Sequence, residues 1–327
     1  MNERHRTVVI AFQGIFVPVG LAAIAWAAIR HGDAISPKGS LAYLAAALGT
    51  LQLSLVIYAR RLHVSLATVG IKLQVLPTMR IAMQSLFYFF FVPFSTGAEL
   101  SRWAKIKAAA PMTSNLSVLT ALTLDRVVPA IACLAISLAS LPFVRLRGVT
   151  MRDIDALPIS PVTVVVILLV AGVGAGAIAI RRGWIAPLLA GIRAARNQFV
   201  RGILFVGVTS VVVQLLSITT MWLLSRWLGI ELGFAALALG TSGGMLAQII
   251  PISLAGAGPA ELGSGLLFAA CGADTTEAVL LTTVLYLCKL FGAVEGGLLE
   301  FPMARLRTAL QRRVKRSRSI TRAESNA

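Results

Sequence analysis

Hydrophobic runs separated by short polar connections divide the chain into nine apolar segments. They cover residues 7–29, 41–59, 81–94, 116–141, 161–180, 203–224, 234–254, 262–270 and 278–298. A helix needs about 20 apolar residues to cross a bilayer, so the segments at 81–94 and 262–270 are too short to do so. The pattern predicts an all-α, polytopic membrane bundle in which two helices are interrupted.

The two interruptions lie in opposite halves of the chain and resemble each other. Residues 92–103 read VPFSTGAELSRW and residues 248–265 read QIIPISLAGAGPAELGSG, so both follow an apolar run with Pro-x-Ser, then glycine, then Ala-Glu-Leu. The positions concerned are Pro93, Ser95, Gly97 and Glu99 in the first copy and Pro251, Ser253, Gly256, Gly258, Pro259 and Glu261 in the second. Pro259 is placed to open a new helix. Paired breaks of this kind indicate the binding site of a transporter built from inverted repeats.

The composition is typical of an integral membrane protein, because 57% of the residues are hydrophobic, 13% are charged and the mean hydropathy is +0.84. The basic residues, which give a formal net charge of +17, favour one topology. If 81–94 dips in from the cytoplasm and 234–270 forms a hairpin from outside, 22 of the 30 Lys and Arg residues face the cytoplasm and 6 face outward. A full crossing by 234–254 would instead place residues 181–202 or the basic tail outside.

We therefore predict about six full spans plus two re-entrant hairpins of opposite orientation, which a hydropathy count would report as seven or eight spans. Both termini are expected in the cytoplasm, with the protein in the cell inner membrane. Residues 1–300 form a single transmembrane domain, and residues 301–327 form a basic tail that touches anionic lipids. No nucleic-acid partner is expected.

Charged residues inside the predicted spans are candidate functional residues, because a charge is costly at membrane depth. Asp125 and Arg126 lie within 116–141. Adjacent residues on a helix do not face each other, so each needs a partner elsewhere. Arg102 or Lys105 is the predicted partner of Asp125, and Glu99 is the predicted partner of Arg126.

Two interpretations of these charges remain open. They are ion pairs that only fix packing, or groups that bind an anionic head group and carry protons. Glu99 and Glu261 are accordingly either helix caps, as in the pattern Thr96-x-x-Glu99, or parts of half-helices whose N-termini meet near the midplane and bind anions. The substrate or transport residues under the second interpretation are Ser95, Glu99, Arg102, Asp125, Arg126, Ser253, Glu261 and Lys289.

The sequence contains no motif for catalysis, nucleotide hydrolysis or metal binding. Walker A, H-E-x-x-H and G-x-S-x-G patterns are absent, as is any Cys/His cluster. Cys133, Cys271 and Cys288 lie in apolar surroundings and imply no disulfide framework. We expect no cofactor, no metal and no enzymatic activity. The G-x-x-x-G pair of Gly292 and Gly296 is typical of close helix packing.

Taken together, these motifs resemble the flippase-like family, also called the lysylphosphatidylglycerol synthase transmembrane region. The resemblance covers roughly residues 41 to 300, in the family's order and spacing. It is carried by Pro93, Gly97, Glu99 and Arg102, then Asp125 and Arg126, then Pro251, Ile252, Ser253, Gly256, Gly258, Glu261 and Gly263. The chain departs from the family at Ala260 and Leu287, where arginine is usual, and carries Lys289 two residues further on.

The resemblance implies a lipid-handling role. Larger relatives join this module to a soluble transferase that aminoacylates phosphatidylglycerol, and the module is associated with flipping the product. We expect no aminoacyl transfer here, because membrane segments consume the length of the chain. The prediction is a flippase or transporter for a phospholipid or polyprenyl lipid, working by alternating access around the two broken helices. The alternatives are a membrane-embedded lipid-modifying enzyme and a non-transporting scaffold for a lipid- or glycan-synthesis enzyme.

Overall fold

The computed structural model describes residues 39–91, 96–144, 196–248 and 259–324. The predicted spans 7–29 and 161–180 lie outside these ranges. Six of the predicted site and break residues also lie outside them, namely Pro93, Ser95, Pro251, Ser253, Gly256 and Gly258. Every regular element in the described ranges is helical, which confirms the predicted all-α class.

The described ranges contain a series of α-helices and one 3-10 turn. They are α1 Leu41–Thr68, α2 Val75–Phe91, α3 Thr96–Ala109, α4 Asn115–Ser140 with the turn Leu141–Phe143, α5 Arg196–Leu228, α6 Phe234–Ala247, α7 Pro259–Ala270 and α8 Thr275–Glu324. Four stretches are long and apolar enough to cross a membrane: Leu41–Thr68, Asn115–Phe143, Phe199–Leu228 and Thr275–Glu300. The helices α2, α6 and α7 are apolar but shorter. The protein is therefore a multi-pass membrane bundle, and its short helices fall where the sequence predicted interruptions.

Local sequence signals set several helix ends. Ser40 caps α1 by accepting a hydrogen bond from the Ala42 N–H at 3.2 Å, and Ser114 caps α4 by accepting one from the Ser117 N–H at 3.0 Å. After α1 the chain turns at Gly70, whose φ of +85° lies in the left-handed region that glycine adopts most readily. The predicted role of Pro259 is confirmed, because it is the first residue of α7.

Helices α1 and α5 form the longest packed pair. Thr50 contacts Thr220 through a 2.8 Å hydrogen bond, Arg61 contacts Ser210, and Thr68 lies against Gly202. The residue numbers of the contacting positions decrease along α5 as they increase along α1, so the two helices run antiparallel. Their polar contacts are the hydroxyl and small-residue contacts that hold helices together where the solvent is lipid.

The helices α6 and α7 form a tight antiparallel pair, here called hairpin 2. Gly240 faces Phe268, and a Cβ built at Gly244 would lie only 2.6 Å from the carbonyl oxygen of Ala260. Glycines on one helix therefore let the second helix approach closely. The connection that joins the two, 249–258, holds the predicted break.

The helices α2 and α3 form the corresponding pair, hairpin 1, in which Ser85 and Gln84 of α2 contact Arg102 and Lys105 of α3. Hairpin 1 packs on α8 through α2 and on α4 through α3, whereas hairpin 2 packs on α4 through α6 and on α8 through α7. The two spans α4 and α8 thus lie between the hairpins. That the hairpins enter the membrane from opposite sides stays a prediction.

Three element boundaries differ from those predicted. The span expected at 41–59 continues to Thr68, because the basic pair at 60–61 is followed by further helix-forming apolar residues. The helix that begins in the segment 234–254 ends at Ala247, and residues 249–254 lie outside the described ranges. The backbone of α8 remains helical through the basic stretch to Glu324, so the predicted tail begins as a continuation of the last span.

Candidate anion-binding site

Asp125 joins two arginines from different helices at the centre of the described bundle. Its side chain, on α4, is 1% exposed. The Nε of Arg61 on α1 donates to Oδ1 at 2.9 Å, and the Nη1 of Arg102 on α3 donates to Oδ2 at 3.3 Å. Each carboxylate oxygen therefore takes one guanidinium group, and α4 is tied both to α1 and to hairpin 1.

Glu99 and Arg126 extend this network towards an accessible surface. The Oε1 atom of Glu99 accepts a hydrogen bond from the Nη1 of Arg102 at 3.3 Å and one from the Nε of Arg126 at 2.7 Å, and the Nη2 of Arg126 also contacts it. The side chain of Arg126 is 48% exposed and that of Glu99 is 30% exposed. Arg126 is thus the arginine of the network that a ligand can reach.

Neutral groups also accept hydrogen bonds from the two buried arginines. The Nε of Arg102 donates to the Ser85 hydroxyl at 2.8 Å, and the Nη1 of Arg61 donates to the Ser210 hydroxyl at 3.3 Å. Both guanidinium groups also lie over the ring of Tyr58, at 5.3 Å for Arg61 and 5.2 Å for Arg102. None of these contacts neutralises charge.

We call Arg61, Arg102, Arg126, Asp125 and Glu99 the arginine cluster. Among the residues that the structure describes, its three guanidinium groups face two carboxylates, which leaves one positive charge in excess. An uncompensated charge is costly in a low-dielectric interior. The cluster therefore favours a further anion, and a guanidinium group matches the paired oxygens of phosphate or carboxylate.

Hairpin 2 carries a second charged pair. The Nζ of Lys289 on α8 lies 4.0 Å from the Oε1 of Glu261, in the first turn of α7. That distance exceeds the roughly 2.7–3.2 Å of a hydrogen bond. The two side chains line a cavity between α6, α7 and α8, together with Thr241, Ser264 and Thr282. We call this the Glu261–Lys289 cavity.

Lys105 belongs to a third contact group. It pairs with Glu300 of α8, and its Nζ donates to the Gln84 side-chain oxygen at 2.9 Å. The Tyr88 hydroxyl donates to Glu300 at 3.0 Å. These contacts fasten hairpin 1 to the end of the last span. Of the two predicted alternatives for the partner of Asp125, Arg102 or Lys105, the structure confirms Arg102, whereas Lys105 pairs with Glu300 on α8.

Residues 8–295 of the chain match the family described as the lysylphosphatidylglycerol synthase TM region. The chain belongs to this family. The match covers most of the chain. It includes the arginine cluster and the Glu261–Lys289 cavity, whereas Glu300 lies beyond its end. No curated protein and no solved structure matches it.

Membership in the lysylphosphatidylglycerol synthase TM region family confirms the resemblance derived from the motifs. The structure also confirms two predicted ion pairs, Arg102 with Asp125 and Arg126 with Glu99. Gly97 lies in the first turn of α3. The Oε1 of Glu99 accepts hydrogen bonds from Arg102 and Arg126, so this oxygen forms ion pairs.

The sequence analysis missed Arg61, because the predicted span 41–59 ends before it. A signal for it exists in the spacing of the polar residues of α1. They recur every three or four residues at Ser54, Tyr58, Arg61, Ser65 and Thr68. Such spacing places them on one face of a helix, and a continuous polar face on an apolar helix indicates burial against other polar groups.

Proposed function

We propose that this protein binds lipids with anionic head groups, phospholipid or polyprenyl lipid, and moves them across the cell inner membrane without altering them chemically. The observation that carries the proposal is the excess positive charge of the arginine cluster, which ends in the half-exposed Arg126. Membership in a family named for lysylphosphatidylglycerol synthase supports a lipid-related role.

The pairing within the arginine cluster supports exchange between a free and a bound state. Glu99 is shared by Arg126 and Arg102, and Arg102 is shared by Glu99 and Asp125. A phosphate oxygen that binds Arg126 would compete with Glu99, whose carboxylate retains Arg102 as a partner. The bound anion therefore replaces one ion pair without leaving Glu99 uncompensated.

The position of the cluster supports alternating access. Arg102 and Glu99 lie on hairpin 1, whereas Asp125 and Arg126 lie on α4, which also contacts hairpin 2. Movement of a hairpin relative to α4 changes the pairing of the same charges. We propose that the two hairpins alternate in exposing the site to either side of the membrane.

Replacing Arg126 with Gln tests this proposal. Reconstituted into vesicles, the wild-type protein is expected to move fluorescent phosphatidylglycerol between leaflets, as measured by quenching of the accessible leaflet. Loss of a charged hydrogen bond costs about 1.5–3 kcal/mol, so Arg126→Gln should weaken head-group binding about 10- to 100-fold. Arg60→Gln is the matched control, since Arg60 is exposed on the neighbouring α1.

Three measurements, in vesicles, in cells and in detergent, separate the alternative functions. Equal leaflet exchange by wild type, Arg126→Gln and empty vesicles would contradict the transport proposal. If cells carrying Glu99→Gln also kept the function of the wild type, the alternative of a non-transporting scaffold protein would be favoured. Conversion of the lipid in detergent, where no second compartment exists, would favour an enzyme.

The proposed orientation makes a second, independent prediction. Asn197→Cys should react with an impermeant maleimide only from the cytoplasmic side, and Thr276→Cys only from the outer side. Both positions are exposed. The native cysteines must be replaced first; burial raises the pKa of the Cys271 thiol, so its own labelling would be slow and incomplete. Labelling of both introduced cysteines from one side would contradict the hairpin topology.

A further inference from the structure

Thr241 is a buried polar residue whose hydroxyl has no hydrogen-bond partner within the described residues. It lies on α6, is 3% exposed and lines the Glu261–Lys289 cavity. A threonine hydroxyl in a helix commonly donates to the carbonyl oxygen one turn earlier, as Thr282 does to Ala278 at 3.0 Å. Thr241 makes no such bond. A buried hydroxyl without a partner is costly, so this one is available to a ligand in the cavity.

Lys289 brings further donors to the same cavity. Its ammonium group carries three N–H donors, and its ion pair with Glu261 spans 4.0 Å. The ion pair therefore leaves donors of Lys289 for another acceptor, whatever else the Glu261 carboxylate contacts. Ser264 and Thr282 add two hydroxyl groups to the lining. A hydroxyl oxygen accepts a hydrogen bond even while its own hydrogen is donated elsewhere.

The size of the cavity decides which ligand fits these groups. The free space inside it admits about one water molecule, and a phosphate group is too large for it. Cavities with a purely apolar lining stay dry, whereas a water molecule is retained where about two to four polar groups can bond to it. This lining has such groups beside the apolar Met245 and Leu285. Size and chemistry therefore both point to water.

We propose that the Glu261–Lys289 cavity binds one ordered water molecule, which joins the Lys289 ammonium group to the Thr241 hydroxyl. The water oxygen accepts one hydrogen bond from Nζ of Lys289 and one from the Thr241 hydroxyl. Its two hydrogens are donated to the hydroxyl oxygens of Ser264 and Thr282. The water thus satisfies the buried hydroxyl of Thr241 and solvates a lysine inside a membrane-spanning helix, where an unsolvated charge is costly.

The proposed water connects hairpin 2 to the last span. Helix α7 packs directly against both α6 and α8, whereas Thr241 of α6 and Lys289 of α8 line opposite parts of the cavity. A bridging water is nearly as favourable in enthalpy as a direct hydrogen bond. It therefore stabilises the contact of α6 with α8 across a gap that protein atoms do not fill. This role does not depend on lipid transport.

X-ray radiolytic footprinting of the purified full chain in detergent tests the proposal, because Met245 lines the cavity. Hydroxyl radicals formed from a bound water react with the side chains beside it, and methionine is readily oxidised to its sulfoxide. Mass spectrometry then measures the oxidation rate of each methionine. Met245 should be oxidised much faster than Met221, which is 0% exposed and lies in an apolar core cluster.

Three variants separate the bound water from outside solvent. Thr241→Val keeps the shape of the side chain and removes the hydroxyl, so it should slow the oxidation of Met245. It should also raise the ratio of unfolded to folded protein about 2- to 10-fold in mixed detergent and sodium dodecyl sulfate micelles, the effect of one lost hydrogen bond. Thr241→Ser keeps the hydroxyl and should retain the oxidation. The matched control is Thr78→Val, which should not change Met245 oxidation: Thr78 is 0% exposed, donates to the Gln74 carbonyl oxygen at 2.9 Å and does not line the cavity.

The sign of the stability change gives an independent outcome. In a dry cavity the unpaired hydroxyl of Thr241 would be destabilising, so Thr241→Val would make the protein more stable than wild type. That result, or a Met245 oxidation rate left unchanged by Thr241→Val, would overturn the inference. Oxidation of Met245 no faster than that of Met221 in wild type would also overturn it, and this comparison stands even where Thr241→Val fails to fold. Loss of Arg126-dependent lipid transport would leave the inference intact.

Discussion

Replacing Asp125 with Asn is expected to destabilise the protein by about 3–5 kcal/mol, the cost of removing one partner from a buried ion pair. Arg61 would lose its counter-charge, and Arg102 would keep only Glu99. Both guanidinium groups would stay enclosed, since their side chains are 5% and 2% exposed. The change is measurable as a lower unfolding midpoint in mixed detergent and sodium dodecyl sulfate micelles.

Two further variants show whether charge is the cause. Asp274→Asn is the matched control, because Asp274 is exposed and its side chain accepts a hydrogen bond from the Thr276 N–H, which an Asn side chain also does. Adding Arg61→Met to Asp125→Asn removes the unpaired guanidinium and should restore part of the stability. A midpoint for Asp125→Asn equal to that of Asp274→Asn would contradict the buried pairing.

The interrupted helices were predictable because proline and glycine act locally. Pro259 fixes a backbone angle suited to a first helical turn and lacks an N–H that would otherwise be unpaired, and α7 begins at this residue. The short lengths of α2 and α7 likewise follow from apolar runs that stop early. Each of these features depends on residues adjacent in the chain, which a sequence displays directly.

The pairing of charges depends instead on how helices are placed in space. Lys105 and Arg102 are one turn apart on α3, and the sequence offered both as partners of Asp125. The structure directs Arg102 to α4 and Lys105 to Glu300 on α8. That choice follows from hairpin 1 lying between α4 and α8. Arg61 was missed for the same reason: its partner lies 64 residues away.

The spans α4 and α8 have equivalent places in the proposed mechanism. Each contacts both hairpins, and each carries charges that pair with a hairpin acid: Arg126 with Glu99, and Lys289 with Glu261. Movement of either hairpin therefore changes the charge balance at a site on a neighbouring span. In the proposed mechanism, this arrangement would link access to binding without requiring the two acids to contact each other.

Close packing of α8 on α2 gives the second large expected effect. A Cβ built at Gly296 would lie 2.9 Å from the carbonyl carbon of Met83 and closer still to its oxygen. Because these are backbone atoms, no rotamer change relieves the overlap. Gly296→Ala should therefore separate the two helices and cost about 1–3 kcal/mol or more, as overpacking does.

The control is Gly49→Ala, on the exposed face of α1, where a built Cβ meets nothing within 4 Å. It should leave the unfolding midpoint in mixed micelles unchanged or slightly raised, since alanine is the better helix former. Gly296→Ala should lower that midpoint and also weaken the contacts of Gln84 with Leu299 and of Tyr88 with Glu300, which depend on the same approach. If both variants melted alike, the close approach of α8 to α2 would be refuted. If only Gly296→Ala melted early, the glycine at this position would be required by the backbone of Met83 and not by helix flexibility.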